Sequence, residues 1–330
     1  MPKQNELTKK SFLDLLSGRR SIPYDEFIQW ALYDPAIGYY SSSKIRVGKS
    51  SGSDFFTSTN LNPVWGNLLV EGICAILGDQ NPGEFEFIEI APEPGVNSLD
   101  KITHPFKSLK SIRLGDQIVL PSSSIVFANE WLDAQPFKRF RFNPETKRWV
   151  EIGVTLTDEI WHEVPLLHSN SSSHVAHNFP NHYKLAYTID WPVGADRSLN
   201  HLLGLDWRGL FLTFDYGLDI ERILNDFPDG TGRAYNNHQQ SNRILENPGT
   251  QDITSHVCWN SLHKLLETHN FSNISLQSQE SFFMNFSQNS IKRILEEPES
   301  RNEHLGAVKE LIHPQHLGQK FQALHGMRIT

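Results

Sequence analysis

The twelve residues Glu84-Phe85-Glu86-Phe87-Ile88-Glu89-Ile90-Ala91-Pro92-Glu93-Pro94-Gly95 decide the fold. Residues 84–91 read as a strand, because a short apolar run bounded by a Pro/Gly turn has strand length. A short helix is expected over residues 96–102. Residues 124–129 (SIVFAN) read as a second strand and enter Glu130-Trp131-Leu132-Asp133. Residues 210–214 read as a third, ending at Asp215-Tyr216-Gly217. Residues 261–268 read as a helix that buries Leu262, Leu265 and Leu266. Strands alternating with helices give an α/β fold around a mainly parallel sheet.

Upstream, Ser21-Ile22-Pro23 opens a helix. Ser21 can cap it, Pro23 fits its first turn, and Asp25 and Glu26 complement its dipole. Phe27, Trp30 and Ala31 share its buried face, and it stops before Pro35. Residues 38–59 are rich in Gly and Ser and read as a long loop. Asn62-Pro63 starts another helix, with Trp65, Leu68, Leu69, Ile73, Ile76 and Leu77 as its stripe and Gly78 as its end. Residues 137–142 and 148–156 read as an antiparallel hairpin around Asn143-Pro144. Residues 169–174 read as a Ser/Asn-rich surface loop.

Length and charge exclude several classes. The 330 residues make roughly two domains at about 150 residues each. Lys plus Arg is 30 and Asp plus Glu is 38, a formal charge of −8. That argues against a sequence-independent nucleic-acid binder, which needs a basic surface. Apolar runs such as Ile73 to Leu77 are too short to span a bilayer, so no membrane partner is expected. Two cysteines, Cys74 and Cys258, exclude a disulfide scaffold. Lys3, Lys9 and Lys10 precede an apolar stretch that Asp14 interrupts, which is no signal peptide, and a cytoplasmic setting is expected. The histidines lack ligand spacing: His162-Glu163 has no second His, His174, His177 and His182 surround a Ser-rich stretch, and His256 and Cys258 lack a second pair. No metal site is expected. Gly48-Lys49-Ser50 resembles the end of a phosphate-binding loop, but position 43 is Ser and a flexible loop is the better reading.

The informative residues stand at strand ends. Glu89 lies in the first strand, Asn129-Glu130 and Asp133 follow the second, and Asp215 ends the third. Ligands of open α/β sheets bind outside the carboxyl ends of the strands. Charges there are costly to bury, so three converging groups suggest a site. Each alone reads equally well as a cap or a loop start.

These segments resemble the MidA-type class I methyltransferases, which use S-adenosylmethionine and whose mitochondrial relative, a complex I assembly factor, methylates a protein arginine. Phe27-Ile-Gln-Trp-Ala-Leu-Tyr-Asp-Pro-Ala-Ile-Gly-Tyr-Tyr40 is similar to the family's N-terminal signature, and Ser53-Asp54-Phe-Phe-Thr-Ser58 to its GDFxTS segment. Asn129-Glu130-Trp-Leu-Asp133-Ala-Gln-Pro136 resembles NExxDAxP, the most specific match. Asp215-Tyr216-Gly217, Arg233-Ala-Tyr235 with His238, and Pro248-Gly249 through Asp252-Ile-Thr254-Ser-His256-Val follow in the family's order. The resemblance implies a Rossmann-like class I sheet with an N-terminal helical segment and an inserted antiparallel region. It divides the chain into residues 1–80, a core of 81–136 and 208–330, and an inserted lid over 137–207.

It also implies S-adenosylmethionine as cofactor and a protein substrate, with arginine as acceptor. Glu130 and Asp133 would clamp a guanidinium, Asp215 would stand nearby, and His256 would accept a proton or orient the site. Asp54, Glu89, Glu93, Gly95, Asp116 and Asn129 would line the cofactor site. Two departures stand out. The family's ExGxGxG loop is Glu89-Ile-Ala91-Pro-Glu93-Pro-Gly95 here, with one glycine kept. The interval before Ser124 is short for the family's second strand, so a sheet shortened on that side is expected. Asp116 is then the nearby ribose-binding candidate. The altered loop supports an alternative in which an inactive relative binds a partner protein through the same cleft. An enzyme using another small ligand is a third reading.

Overall fold

The computed structural model describes residues 2–41, 46, 57–166, 175–176, 179–236 and 239–329. Asp54, the loop residues around it, His174, His177 and His238 lie outside these. The chain divides into two compact units. One comprises residues 45–131, 200–216 and 262–330; the other comprises 1–44, 132–199 and 217–261. The expected division put residues 45–80 with the N-terminal segment, whereas the unit boundary falls at 44/45.

The first unit is built on six strands: β1 (Glu86–Ile90), β2 (Ser108–Ile112), β3 (Ser123–Asn129), β4 (Arg208–Asp215), β5 (Ser272–Ser278) and β6 (Gln322–Arg328). Their order is β5-β6-β4-β3-β1-β2. Strands β1 to β4 pair in parallel, β6 is antiparallel to β4, and β5 is antiparallel to β6. Both faces of β1, β3 and β4 are buried, and each carries apolar residues on both faces, with Glu89 the buried exception in β1.

Register sorts the side chains by face. Phe87, Ile125, Phe127, Leu210, Leu212 and Phe214 lie on one face, packed with Trp65, Leu68 and Ile73 of the helix Val64–Leu77. Glu71 of that helix accepts from the Asn289 and Ser290 N–H groups, so it caps the helix Gln288–Glu296. Gly72 lets Phe282 approach, since a β-carbon there would lie 2.8 Å from its ring. Gly78, at φ 59°, ends the helix as expected.

Two expectations for this unit are corrected. The expected helix over residues 96–102 is a series of turns. The second strand is present as β2, parallel to β1. Its sequence, SLKSI, hides it, because an edge strand needs no buried face and only β1 supports it among the described residues. Among the described residues the sheet ends there, one strand beyond β1.

The second unit holds an antiparallel sheet in which Arg148–Thr157 pairs with Ile22–Pro23, Lys138–Asn143 and Ile160–Pro165, and Lys138–Asn143 pairs with Tyr187–Trp191. The expected hairpin is its centre. Ile22–Pro23 is spent on a strand, so the following helix runs Tyr24–Tyr33 and Ser21 does not cap it. Its Phe27 and Trp30 meet Phe12 and Trp161 in ring contacts. Two further segments of the resemblance pair here, Arg233–Asn236 with Asp252–Thr254.

The centre of this unit is ionic. Arg139 grips cross-strand Asp190 through two bonds, Nε to Oδ1 at 2.7 Å and Nη2 to Oδ2 at 3.0 Å. Its Nη1 reaches Glu163 at 2.7 Å and Tyr24 at 3.1 Å. Asp190 Oδ2 also accepts the Gly232 N–H at 2.7 Å. Removing one partner of such a pair strands a buried charge, at about 3–5 kcal/mol. Asp190→Asn is expected to lower unfolding free energy by about that much in urea titrations. Adding Arg139→Met should recover most of it; an Asp190→Asn loss below about 1 kcal/mol would show that the pair is dispensable.

Candidate active site at the carboxyl edge of the sheet

Topology alone points to one crevice. The chain leaves β1 for β2 on one side and then places β3 on the other side of β1. Strand order reverses between β1 and β3, and open α/β sheets bind ligands at the carboxyl ends of such a pair.

The residues after both strands are left-handed. Ala91 has φ 52° and Glu130 has φ 51°. Neither is glycine, so each carries a backbone cost of about 1–2 kcal/mol. Strain of this kind collects where a turn has work to do. Main-chain bonds hold both turns: Ala91 N–H donates to Ile112 O at 2.7 Å, and Glu130 N–H to Phe214 O at 2.9 Å.

Glu89 shapes the loop after β1. It is 4% exposed, and both carboxylate oxygens accept from the Ser98 N–H, at 3.0 and 3.1 Å. Ser98 O in turn accepts from Asn62 Nδ2, whose side-chain oxygen accepts the Gly66 N–H. A β-carbon on Gly66 would lie 2.8 Å from Ser98 O, so glycine is required for this close approach. Burial pushes the Glu89 carboxyl up to about 7, although the Ser98 hydrogen bonds and Arg113 favour its charged form.

The loop itself faces solvent at Ala91, Pro94 and Gly95. Gly95 has φ 76°, and no described residue lies within 4 Å of where its β-carbon would stand. Glu93 is drawn sideways to Arg46, whose Nε lies 3.3 and 3.2 Å from its two carboxylate oxygens. Among the described residues, the space at Gly95, with Glu93 paired to Arg46, suits a ligand over the loop.

The other strand ends differ in exposure. Asp215 is fully buried, and its Oδ1 accepts the Tyr216 N–H at 2.8 Å. Glu130 and Asn129 are half-buried, and Asn129 Nδ2 donates to Glu130 Oε1 at 3.1 Å. Glu130 is thus the most exposed of the carboxylates Glu89, Glu130 and Asp215. At the end of β2 the chain places Arg113, which donates to Asn97. Asp116 is exposed and accepts the Arg113 N–H at 2.8 Å, closing a turn.

Asp133 and His256 belong to the other unit, because the boundary falls between Trp131 and Leu132. There Asp133 is buried and its main-chain oxygen accepts the Ser255 N–H at 2.9 Å. Burial, then the Arg233 and Arg222 guanidinium groups, push the His256 imidazole down to about 4. It is neutral at physiological pH.

Arg46, Asn62 and Ser98 are absent from the sequence-derived site residues. Arg46 sits in a Gly/Ser-rich stretch that gives no periodic signal. Asn62 was legible only as a helix start.

Comparisons with known proteins give the family and the fold. Residues 89–275, more than half of the chain, match the model of the family described as "Putative S-adenosyl-L-methionine-dependent methyltransferase". The chain belongs to this family. The match starts at Glu89, the residue that shapes the loop. The fold is shared with a superfamily member from Burkholderia thailandensis described as a "likely methyl transferase", solved bound to S-adenosyl-homocysteine. The TM-score is 0.84 at 21% identity, over 99% of this chain and 93% of that one. A native structure of an uncharacterized Burkholderia thailandensis protein of that superfamily gives 0.83 at 20%, over 99% and 92%. A comparison with curated proteins returns no match. Among the described residues no helix is long and apolar enough to cross a membrane, and no three His, Cys, Asp or Glu cluster to hold a metal.

Two outcomes follow for this methyltransferase-family loop. Ala91→Gly relieves the left-handed cost, which exceeds the chain entropy that glycine adds, and is expected to raise unfolding free energy by up to about 1 kcal/mol. A lower melting temperature in that variant would refute the strain. Glu89 binds its proton more tightly folded than unfolded, so its contribution is fully present below pH 4.5 and is lost as pH rises through about 7. Glu89→Gln should flatten the pH dependence of stability between those values by about 3 kcal/mol, read from denaturant titrations across that range.

Proposed function

We propose that the protein transfers a methyl group from S-adenosylmethionine to a protein substrate, with an arginine side chain as acceptor. The carrying observation is the loop after β1: Glu89 fixes its turn at the switch point, and Gly95 leaves its upper side open. Family membership supports the cofactor class. So does the S-adenosyl-homocysteine bound in the Burkholderia thailandensis neighbour. The MidA-type motifs support arginine.

Glu89, Glu93, Gly95 and Asn129 would hold the cofactor, and it supplies a methyl group on a sulfonium, with a thioether as leaving group. Asp54 and Asp116 are further candidates from the family motifs. The rest of the task is alignment. A guanidinium presents forked N–H donors that suit a carboxylate. Glu130, half-buried and with its Oε1 accepting from Asn129 Nδ2, would accept them. Its strained φ fixes where the side chain leaves the backbone. The same carboxylate would take the proton that the acceptor nitrogen sheds. Asp215, buried and bonded to the next N–H, would hold the turn after β4. Asp133 and His256 are separate candidates, and a neutral His256 suits orientation better than proton storage.

Glu130→Gln is expected to lower methyl transfer by about 100-fold or more while leaving cofactor affinity and melting temperature unchanged. Turnover equal to the parent protein would remove Glu130 from the mechanism. Calorimetric titration with S-adenosyl-homocysteine tests the cofactor directly. Binding that is lost in Gly95→Trp supports the loop as its seat. No binding to a cooperatively folded sample would overturn the proposal.

A further inference from the structure

The helix Pro298–Ile312 of the first unit sorts its side chains into three stripes. Val308 and Leu311 are buried and face the core. The carboxylates Glu299, Glu303 and Glu310 recur at helical spacing on a second stripe. Pro298, Arg301, Leu305, Gly306 and Lys309 form the third, and with Leu295 of the helix Gln288–Glu296 they line a groove of about 500 Å³.

Three features set this groove apart. Arg301 and Lys309 take part in no ion pair among the described residues, and the one carboxylate lining the groove, Glu296, lies 3.8 Å from Lys292. In a chain of formal charge −8, the groove thus carries more positive than negative charge. Its apolar part is uncovered, with Leu295 42% exposed. Between the two cations stands Gly306, in mid-helix, where only proline is less favourable than glycine. No described atom lies within 4 Å of where its β-carbon would stand, so packing within the chain does not call for glycine there. Glycine in such a place lets another backbone come close.

We propose that this groove docks an acidic amphipathic helix of a partner protein. Its carboxylates meet Arg301 and Lys309, and its apolar stripe lies on Leu295 and Leu305 against Gly306. Arg301 and Lys309 stand about two turns apart, about 12 Å along the axis, which matches the repeat of side chains on one face of a helix. Neighbouring helices leave a groove that a third can fill with its side chains, and glycine at the crossing lets the axes approach. The carboxylates of the helix Pro298–Ile312 stand off the groove stripe, where they do not repel an acidic partner.

Fluorescence anisotropy of the full chain with labelled peptides tests this. The probe is an alanine-based helical peptide of about 15 residues, with two Glu about two turns apart and Leu between them on the same stripe. Two control peptides carry Gln or Lys in place of Glu. At low salt the Glu peptide is expected to bind about fivefold or more tighter than the Gln peptide, and the Lys peptide weakest. Arg301→Gln combined with Lys309→Gln should bring the Glu and Gln peptides within about twofold of each other. Gly306→Gln should weaken the Glu peptide by about tenfold while the melting temperature holds or rises. No binding of the Glu peptide, equal affinity for all three peptides, or a Glu preference that survives the double substitution overturns the proposal. Unchanged affinity in Gly306→Gln also overturns it, as does a lower melting temperature, which would give that glycine a role inside the chain. Two other occupants would displace the partner helix. A dimer in sedimentation that Gly306→Gln abolishes assigns the groove to a second copy, and competition by phosphatidylserine vesicles assigns it to a membrane surface.

Discussion

One carboxylate taking one main-chain N–H holds the site in place. Glu89 projects from β1 into the apolar face of the sheet and receives Ser98 on both oxygens. A buried carboxylate without that partner would cost several kcal/mol. With it, the loop between residues 91 and 98 closes to a fixed span. Ser98 O and Asn62 extend the constraint to the start of the helix Val64–Leu77. That helix covers the same face through Trp65, which meets Phe127 and Phe214 edge-on or tilted. The loop geometry and the core packing are therefore one problem for this sequence. A change at Gly66 or Ser98 reaches the loop after β1 through backbone contacts.

The two units bury charge by different means. In the sheet unit Glu89 is satisfied by a hydrogen bond and its carboxyl is pushed towards its neutral form. In the other unit Asp190 meets Arg139 in a bidentate pair across two strands. The first solution lets the backbone be read by the side chain. The second fixes strand register, because Arg139 and Asp190 meet only when their strands align as they do.

Legibility in the sequence followed burial. β1, β3 and β4 were readable because both faces are covered and each carries a short apolar run, such as residues 125–128 and 210–212. The helix Val64–Leu77 and the hairpin of the second unit were readable from their periodicity. β2 was not, since Ser108, Lys110 and Ser111 serve an edge and carry no apolar alternation. Ser21 looked like a cap because pairing of Ile22 with Val154 is a contact between distant residues. The strand-end acids were legible from the fold rule for open sheets. Their division was not: exposure separates Glu130 from Glu89 and Asp215, and that depends on packing alone. Arg46 was invisible because one of three cations in a Gly/Ser-rich stretch gains meaning only from Glu93, far along the chain.

Ending the sheet at β2 has a consequence for how chains behave in a crowded solution. An unmatched strand edge is a template on which another chain can extend the ladder. Here the edge is five residues long and carries Lys107 beside it and Lys110 within it, both reaching Glu86 on β1, at 3.5 and 2.6 Å. A visiting strand would have to desolvate those ammonium groups or displace them from Glu86. Two lysines thus do at this edge what a neighbouring strand would do, and keep the rim wetted.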